Sequence, residues 1–436
     1  MKSFWIPKIP SFLDLPFGDM EKKDVVIVGA GVIGLCSAYY LQEAGRNVTI
    51  VDRLPESDQG GCSFINCGYI APSHFVPLAN PGVLTQGLKW MFDSKSPLYI
   101  KPRLNMELMN WLWLFARSSR QYQDQKNRLI LDLNLESKAL FSELEKIEGI
   151  DTGKQDRGLL MYCQTEKALH HEMEVAEMSK RYGVDAVQKS RVEIHQMEPD
   201  FLPNVVGGVF FPEDAHLNPV KFVNSLRSYL KDQGVEFLWG SSVSALRAND
   251  QQCSIDIGSK EITASQVVIA GGSWSSPLAK SIGLKLPMQA GKGYSLTVKN
   301  PEKELRHPAI LVEAKIAMTP LEGAMRFGGT MELNGLNPEI NATRVNTIKS
   351  KSMSYLNGID NSWFDKVDPQ FGFRPVSPDG LPYIGPHPHH KNIVLACGHA
   401  MLGLSMGPVT GKLVAGILED GDSGHDLKLL RPERFA

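Results

Sequence analysis

Residues 24–52 have the sequence DVVIVGAGVIGLCSAYYLQEAGRNVTIVD, and the order of residue types in it determines the fold class. A β-branched run leads into Gly29, Gly31 and Gly34, and apolar residues at helical spacing follow these glycines. A second β-branched run then ends at Asp52. This order predicts a β-α-β unit with a right-handed crossover, as in doubly wound parallel sheets. The predicted fold class is therefore α/β and Rossmann-like.

The three glycines have separate physical roles. Gly29 permits a tight turn after the strand, Gly31 lets the backbone approach a pyrophosphate, and Gly34 allows close packing of helix on strand. The helix N-terminus also attracts phosphate charge. Asp52 is placed to accept a hydrogen bond from a ribose hydroxyl and to repel a 2′-phosphate. The unit predicts a dinucleotide site, but it does not distinguish FAD from NAD, because both bind their ADP part in this way.

The composition of the 436-residue chain excludes several classes of function. A chain of this length is expected to form two domains, and a net charge of -2 gives no electrostatic reason to expect nucleic acid. No apolar run is long enough to predict a membrane-spanning helix. The six cysteines have no paired C-x-x-C spacing, which indicates a reducing, cytoplasmic setting. Cys397 and His399 lack a second ligand pair, so no metal site is predicted.

Three further motifs carry a family resemblance: GGCSFINCGYI at 60–70, KGYSLT at 292–297 and GFRPVSPDGLPYIG at 372–385. In this combination the chain resembles the D-amino-acid oxidase and glycine oxidase group of flavoproteins, and most closely the D-amino-acid dehydrogenases. The resemblance covers about residues 22–420 and implies FAD as the cofactor. Sarcosine oxidases attach their flavin through a cysteine shortly after the position of Arg374. No thiol stands there in this chain, so noncovalent FAD is expected.

The resemblance also implies a domain division. A Rossmann-like FAD-binding domain is interleaved with a second α+β substrate domain built on an antiparallel sheet. The FAD-binding domain is predicted from segments 21–80, 205–285 and 372–425, the substrate domain from 81–204 and 286–371, and an N-terminal extension from 1–20. The segment from residue 84 to 149 is predicted to be mostly helical. Trp111 and Trp113, two residues apart on such a helix, are expected to point in different directions, with core packing or a subunit contact favoured over membrane docking.

The implied cofactor contacts fall into groups along the chain. They are Gly29, Gly31, Val32, Ile33, Gly34, Asp52 and Arg53 around the ADP part; Ser63, Asn66 and Gly68 in a turn beside the flavin; Val243 on the adenine side; Ala270, Gly271 and Gly272 on the diphosphate side; Gly372; and Gly398, Met401, Gly403, Leu404 and Ser405 over the pyrimidine end.

Four residues are candidates for substrate contacts. Arg374 matches the arginine that binds a substrate carboxylate through two parallel hydrogen bonds in such enzymes, with a structural ion pair as the alternative. Tyr294 is expected either to bind carboxylate or amine or to be a buried, internally bonded tyrosine. His399 falls near the flavin, with a structural hydrogen bond favoured, and His216 either supports a turn or touches substrate. Glycine oxidases carry an arginine where this chain has Met401, so a second carboxylate arginine is in doubt.

The expected reaction is oxidative deamination of a small amino acid, with a D-amino acid favoured. A hydride passes from the α-carbon to flavin N5, and the imine then hydrolyses to a 2-oxo acid and ammonia. The alternative substrate is a cyclic or secondary amino acid such as proline, hydroxyproline, glycine or sarcosine. A quinone or another carrier is the expected electron acceptor. The sequence leaves open a peripheral contact with the inner face of the membrane, and it leaves open the oligomeric state.

Overall fold

The computed structural model describes residues 22–79, 98–100, 105–419, 421 and 424–435. The predicted N-terminal extension, residues 1–20, lies outside this part of the chain, as does most of 80–104. The described residues form a largely parallel sheet and a second, mostly antiparallel sheet, so the predicted fold class is confirmed.

Strands and helices alternate along the chain. The strands are β1 (Lys22–Val28), β2 (Val48–Val51), β3 (Tyr69–Ile70), β4 (Leu98–Ile100), β5 (Leu159–Cys163), β6 (Val187–Ser190), β7 (Gly207–Phe211), β8 (Ala215–His216), β9 (Glu236–Leu238), β10 (Val243–Ala248), β11 (Cys253–Ile257), β12 (Lys260–Ile269), β13 (Gln289–Lys299), β14 (Ala309–Leu311), β15 (Ile316–Pro320), β16 (Ala324–Leu333), β17 (Gln370–Val376), β18 (Tyr383–Pro386) and β19 (Ile393–Cys397). The helices of the described part are α1 (Val32–Glu43), α2 (Met106–Ser118), α3 (Gln123–Leu144), α4 (Glu166–Arg181), α5 (Arg191–Met197), α6 (Pro219–Asp232), α7 (Ser275–Ser281), α8 (Ala342–Tyr355) and α9 (Gly407–Leu418).

The first sheet has the strand order β10-β11-β12-β1-β2-β9, and β19 joins it beside the carboxyl-terminal part of β12. The pairings of β1 with β12 and β2, of β2 with β9 and of β12 with β19 are parallel. Helix α1 is buried over most of its surface, because it lies between this sheet and α9. A Cβ atom at Gly411 of α9 would overlap the backbone of Cys36. The two helices can therefore approach each other this closely only because residue 411 is a glycine.

The second sheet has the strand order β17-β13-β16-β15-β14-β5-β7-β6, with β4 beside β16. All its pairings are antiparallel except β14 with β5 and β16 with β4. Strand β17 is the edge of this sheet and is paired only with β13 among the described strands. The position of β17 therefore depends on the contacts at its ends as well as on one neighbouring strand.

Two strands do not follow the predicted domain segments. Strand β7 falls in the predicted FAD-binding segment 205–285, but all five of its residues pair with β5, and Gly207 to Phe210 also pair with β6. Strand β17 was divided by the boundary at 372, yet it pairs with β13 along its whole length, from Gln370 to Val376. Both strands belong to the second sheet, because their hydrogen bonds lie there.

Helix α2 packs against the end of β17. The indole Nε1 of Trp111 donates a hydrogen bond to the carbonyl of Val376 at 3.0 Å, and Trp111 is buried. Trp113 is 58% exposed. The expectation that the two tryptophans point in different directions is confirmed.

Candidate functional site

The glycine loop between β1 and α1 lies against the end of β12. Gly29 has a φ of 115°, and a Cβ atom there would lie 2.6 Å from the carbonyl oxygen of Ala270. A Cβ atom at Gly34 would overlap the carbonyl of Gly29. Gly31 is the N-cap of α1 and has no capping side chain, which leaves backbone N–H groups at the helix start for an anion.

Asp52 is fixed at the end of β2 beside this loop. One carboxylate oxygen accepts a hydrogen bond from the backbone N–H of Ala30 at 2.6 Å, and the other accepts from Leu54 at 2.8 Å. A carboxylate has about four lone-pair sites, so Asp52 can also accept from a ribose hydroxyl. The guanidinium carbon of Arg53 lies 3.7 Å from the centroid of the Trp274 ring. The predicted ADP-binding residues are therefore together at one edge of the first sheet.

The remaining residues predicted for the ADP and diphosphate parts border the same edge. Val32 and Ile33 are buried in the first turn of α1. The backbone N–H of Ala270 donates to the carbonyl of Val28 at 2.9 Å, and Gly271 and Gly272 follow it. Val243 is the exception, because it begins β10, the outermost strand in the sheet order. Its side chain packs against the same hydrophobic cluster as Leu238.

The segment from Cys62 to Gly68, here called the Ser63 turn, joins the two sheets. The hydroxyl of Ser63 accepts a hydrogen bond from the backbone N–H of Val32 at 2.9 Å, at the start of α1. The side chain of Asn66 accepts one from the backbone N–H of Gly68 at 2.8 Å, which closes the turn. Ser63 and Asn66 thus have structural partners in the described residues, and Ser63 lies where a phosphate would meet the helix.

Three glycines of the second sheet, Gly293, Gly328 and Gly372, are here called the glycine strip, and the Ser63 turn lies on two of them, Gly328 and Gly372. These residues are on neighbouring strands β13, β16 and β17. A Cβ atom at Gly372 would lie 2.6 Å from the side chain of Ile65, and one at Gly328 would overlap the sulfur of Cys67. The turn can approach the sheet this closely because the strip presents backbone alone.

Arg374 lies across the same strip. A Cβ atom at Gly293 would overlap the guanidinium group, so the side chain rests directly on the β13 backbone. Nη1 donates to the carbonyl of Thr330 at 2.8 Å, the one hydrogen bond of this guanidinium with the described residues. No described carboxylate lies within 4.0 Å of it, and burial lowers the pKa of Arg374. An arginine in this setting is suited to an external carboxylate.

Tyr294 does not share this position. Gly291 pairs with Arg374 and Tyr294 pairs with Phe371, so Tyr294 and Arg374 point to opposite faces of the sheet. The tyrosine hydroxyl donates to Glu332 at 2.9 Å and accepts from the backbone N–H of Asn341 at 3.2 Å. Of the two expectations for Tyr294, this arrangement favours the buried, internally bonded tyrosine, because strand alternation turns its side chain away from Arg374.

The two histidines also differ in position. His399 bridges by its backbone to Val376, and its ring Nε2 lies 2.9 Å from the hydroxyl of Thr410. Burial lowers the pKa of His399 to about 3, so it is neutral and held in a structural bond. His216 is buried near Arg157 and His307, and burial lowers its pKa to about 4. His216 belongs to β8, which pairs with β3 through Tyr69, and the next residue, Leu217, donates its backbone N–H to the carbonyl of Gly68. The histidine thus adjoins the end of the Ser63 turn, and no described hydrogen bond links it to Arg374.

The segment from Gly398 to Gly407 passes next to β17 and enters α9. The backbone N–H of Ala400 donates to the carbonyl of Pro375 at 2.9 Å, and the side chain of Met401 is half exposed beside it. Leu404 is buried, and the hydroxyl of Ser405 donates to Asn134 of α3 at 2.6 Å. Gly403 lies in the turn between them. Only backbone groups of residues 403–405 remain as candidate cofactor contacts, because the side chains of Leu404 and Ser405 face the core.

Two arginines of the site were not predicted. Arg326 of β16 donates from Nη1 to the carbonyls of Phe64 and Asn66, at 2.7 and 2.6 Å, and so clamps the Ser63 turn to the second sheet. Arg227 of α6 lies between the rings of Phe64 and Trp239, and its Nη2 donates to the carbonyl of Ala30 at 3.2 Å. Burial lowers the pKa of both arginines. No local sequence pattern identifies either arginine, because the partners lie far away in the chain.

Comparison with known proteins was decisive for the family. A family model described as FAD dependent oxidoreductase, DAO, matches residues 24–417. The chain belongs to the DAO family of FAD-dependent oxidoreductases. It is 32% identical over 420 residues to the D-amino acid dehydrogenase of Paramagnetospirillum magneticum, covering 94% of this chain and 98% of the relative. It is 28% identical to that of Helicobacter pylori, covering 92% and 96%.

Solved structures agree with this fold. The glycine oxidase from Geobacillus kaustophilus superposes with a TM-score of 0.75 at 22% identity, covering 95% of this chain and 99% of that one. The L-proline dehydrogenase from P. horikoshii gives a TM-score of 0.69 at 16% identity, covering 95% and 98%. FAD is the cofactor of this DAO family member. The glycine loop, the start of α1 and the carboxylate of Asp52 fit its ADP part.

The described residues contain no cluster of side chains suited to a metal ion. None of the helices in the described part combines the length and the hydrophobicity needed to cross a bilayer.

Replacing Asp52 with alanine tests the cofactor site. We expect FAD affinity to fall by about 1.5–3 kcal/mol, because a charged acceptor for the ribose is lost. Titration of the apoprotein with FAD, followed by flavin fluorescence, measures the change. Asp58→Ala serves as the control, because Asp58 caps the nearby Gly60 N–H outside the glycine loop. Equal FAD affinity in wild type and Asp52→Ala would place the nucleotide elsewhere.

Proposed function

We propose that the chain is an amino-acid dehydrogenase that oxidises a D-amino acid at its α-carbon. The observation that carries this proposal is the guanidinium of Arg374, which rests on the glycine strip with no carboxylate partner in the described residues. A partly buried cation with no described carboxylate beside it is costly, and a substrate carboxylate offsets that cost. A forked pair would also fix the plane of the carboxylate.

The protein's contribution to the reaction is mainly positional. Arg374 holds the carboxylate, and its positive charge together with burial lowers the pKa of the substrate ammonium group, so that the amine is neutral when it reacts. FAD, when bound, accepts the hydride from the α-carbon. Tyr294 faces away and His399 is bonded to Thr410, so neither offers a general base beside Arg374. The imine product then hydrolyses in water to a 2-oxo acid and ammonia.

The relatives favour a D-amino acid over the alternative substrates. D-amino acid dehydrogenases match almost the full chain at 28–32% identity. The glycine oxidase and L-proline dehydrogenase structures share the fold at 22% and 16% identity, which supports the fold alone. A secondary amino acid (proline, hydroxyproline or sarcosine) or glycine is the second candidate. Anaerobic flavin bleaching by a panel of D-, L- and cyclic amino acids separates the two.

We also propose that FAD is held noncovalently. Cys62 and Cys67 lie within the Ser63 turn, and burial raises the pKa of both thiols. The sulfur of Cys62 donates to the carbonyl of Phe373 at 3.1 Å, and that of Cys67 rests against Gly328. A raised pKa disfavours the thiolate that a covalent attachment would require. All six cysteines are free thiols, which supports the expected reducing compartment.

A quinone is the proposed electron acceptor, delivered at an anionic membrane surface. The outer face of α2 exposes Met106, Met109 and Trp113, at 83%, 57% and 58%. Residues 98–122 contain Lys101, Arg103, Arg117 and Arg120 against one acid, Glu107. An apolar helix face with basic flanks fits an anionic lipid surface. The inner side of the same helix contacts Val376 through Trp111, so α2 packs on the strand that carries Arg374.

Arg374→Ala and Arg374→Lys test the substrate assignment. We expect both variants to keep FAD but to be reduced more slowly and at higher amino-acid concentration, because a misplaced α-carbon no longer reaches the flavin. Lysine should restore little, since it lacks two parallel donors. Anaerobic rapid mixing gives the flavin reduction rate and the half-saturating concentration.

Arg306→Ala is the matched control for these variants, because the side chain of Arg306 is 56% exposed and far along the chain from β17. A wild-type reduction rate and half-saturation in the alanine variant, with FAD intact, would exclude Arg374 as the carboxylate anchor.

Replacing Met109 and Trp113 together with serine tests the membrane contact. We expect weaker cosedimentation with vesicles that contain anionic lipid and slower reduction of a long-chain quinone, while reduction of a soluble dye stays unchanged. The apolar face of α2 is lost, whereas the flavin site is intact. Leu135→Ser on α3 is the control, because Leu135 is an exposed apolar residue on another helix. The proposal fails if wild type does not bind these vesicles, or if α2 instead mediates self-association.

A further inference from the structure

The C-terminal segment reaches back to the residues that follow β17. The guanidinium of Arg434 donates two hydrogen bonds to the carboxylate of Asp379, from Nε to Oδ2 at 2.8 Å and from Nη2 to Oδ1 at 2.9 Å. Both side chains are more than nine-tenths buried. Nη2 also donates to the carbonyl of Leu381 at 2.8 Å, and the guanidinium stacks on the ring of Tyr383 at 3.9 Å. A buried pair with this many satisfied donors differs from a surface ion pair.

Asp379 lies in a tight turn, residues 377–381, directly after β17. The hydroxyl of Ser377 donates to the carbonyl of Leu381 at 2.6 Å, and Asp379 accepts from the backbone N–H of Leu381 at 3.1 Å. Gly380 has a φ of 78°, and a Cβ atom there would lie 2.9 Å from Pro77. The turn is therefore closely packed on the segment that follows the Ser63 turn, and Arg434 closes it from the other side.

This turn bears on Arg374 because β17 is an edge strand. Hydrogen bonds to β13 fix it on one side only. Its carboxyl end is held by Trp111 and His399, which both contact Val376, and by the turn itself. A shift of the turn along the chain would move Arg374 relative to Gly293 and to the carbonyl of Thr330.

We propose that Arg434 is a positioning residue for the substrate carboxylate. It fixes the turn at residues 377–381 through Asp379, and this turn holds β17 so that the guanidinium of Arg374 lies over Gly293. The inference rests on the proposed function of Arg374. It also gives the end of the chain, 60 residues after Arg374, a role in substrate binding that its distance in sequence does not indicate.

A double-mutant cycle tests the proposal on the FAD-loaded, full-length enzyme. Arg434→Ala should retain FAD and raise the half-saturating concentration of the best D-amino acid by about tenfold in anaerobic flavin reduction. In the Arg374→Lys background, the same substitution should change half-saturation less than about twofold, because the positioned group is already altered. Arg434→Lys should give an intermediate effect, since lysine can pair with Asp379 through one ammonium group.

Two further variants make the result interpretable. Asp379→Asn removes the charge pair while keeping an acceptor for Leu381, and it replaces Arg434→Ala if that variant does not fold. Arg431→Ala, in the same segment but with an exposed side chain, is the matched control. The proposal is overturned if half-saturation is unchanged in Arg434→Ala and Asp379→Asn, or if it rises by the same factor in both backgrounds. An effect of Arg374→Ala without any effect at Arg434 rejects this inference and leaves the proposed function standing.

Discussion

The site depends on a strip of sheet surface that has no side chains. Gly293, Gly328 and Gly372 stand on three adjacent strands, and the Ser63 turn and the guanidinium of Arg374 both rest on their backbone. A Cβ atom on any of the three would displace one of these groups. The strip therefore brings the first sheet's glycine loop, through Ser63 and Val32, to the same place as the arginine of the second sheet.

The arginine side chains around the site differ in the partners that the close packing gives them. Arg326 clamps the Ser63 turn by carbonyl groups, Arg227 is stacked between two aromatic rings, and Arg374 bonds one carbonyl. Burial lowers the pKa of all three guanidinium groups. Arg434 differs, because it is hydrogen-bonded to the carboxylate of Asp379. This negative charge raises the pKa of Arg434, although burial acts in the opposite direction. Arginine side chains thus brace the site internally at Arg326 and Arg434, whereas Arg374 is the proposed partner of the substrate carboxylate.

The sequence predicts the parts of the site that are local in the chain. The glycine loop, α1 and Asp52 are determined by neighbours within about 30 residues, and the structure has them where the motif requires. The direction of Tyr294 could not be predicted, because it depends on the register between β13 and β17, which are far apart in sequence. For the same reason the sequence did not indicate that β7 pairs with β5 or that β17 pairs with β13 along its whole length. Arg326 and Arg434 act on partners more than 50 residues away, so no local pattern identifies them.

The central claim is that Arg374, lying on the glycine strip, receives the substrate carboxylate. A crystal structure of the FAD-loaded enzyme with the 2-oxo acid product bound would test it most directly. We expect both carboxylate oxygens at about 2.7–2.9 Å from two guanidinium nitrogens of Arg374, with the guanidinium still over Gly293. A product carboxylate bound elsewhere, with Arg374 bonded only to groups of the protein, would contradict it.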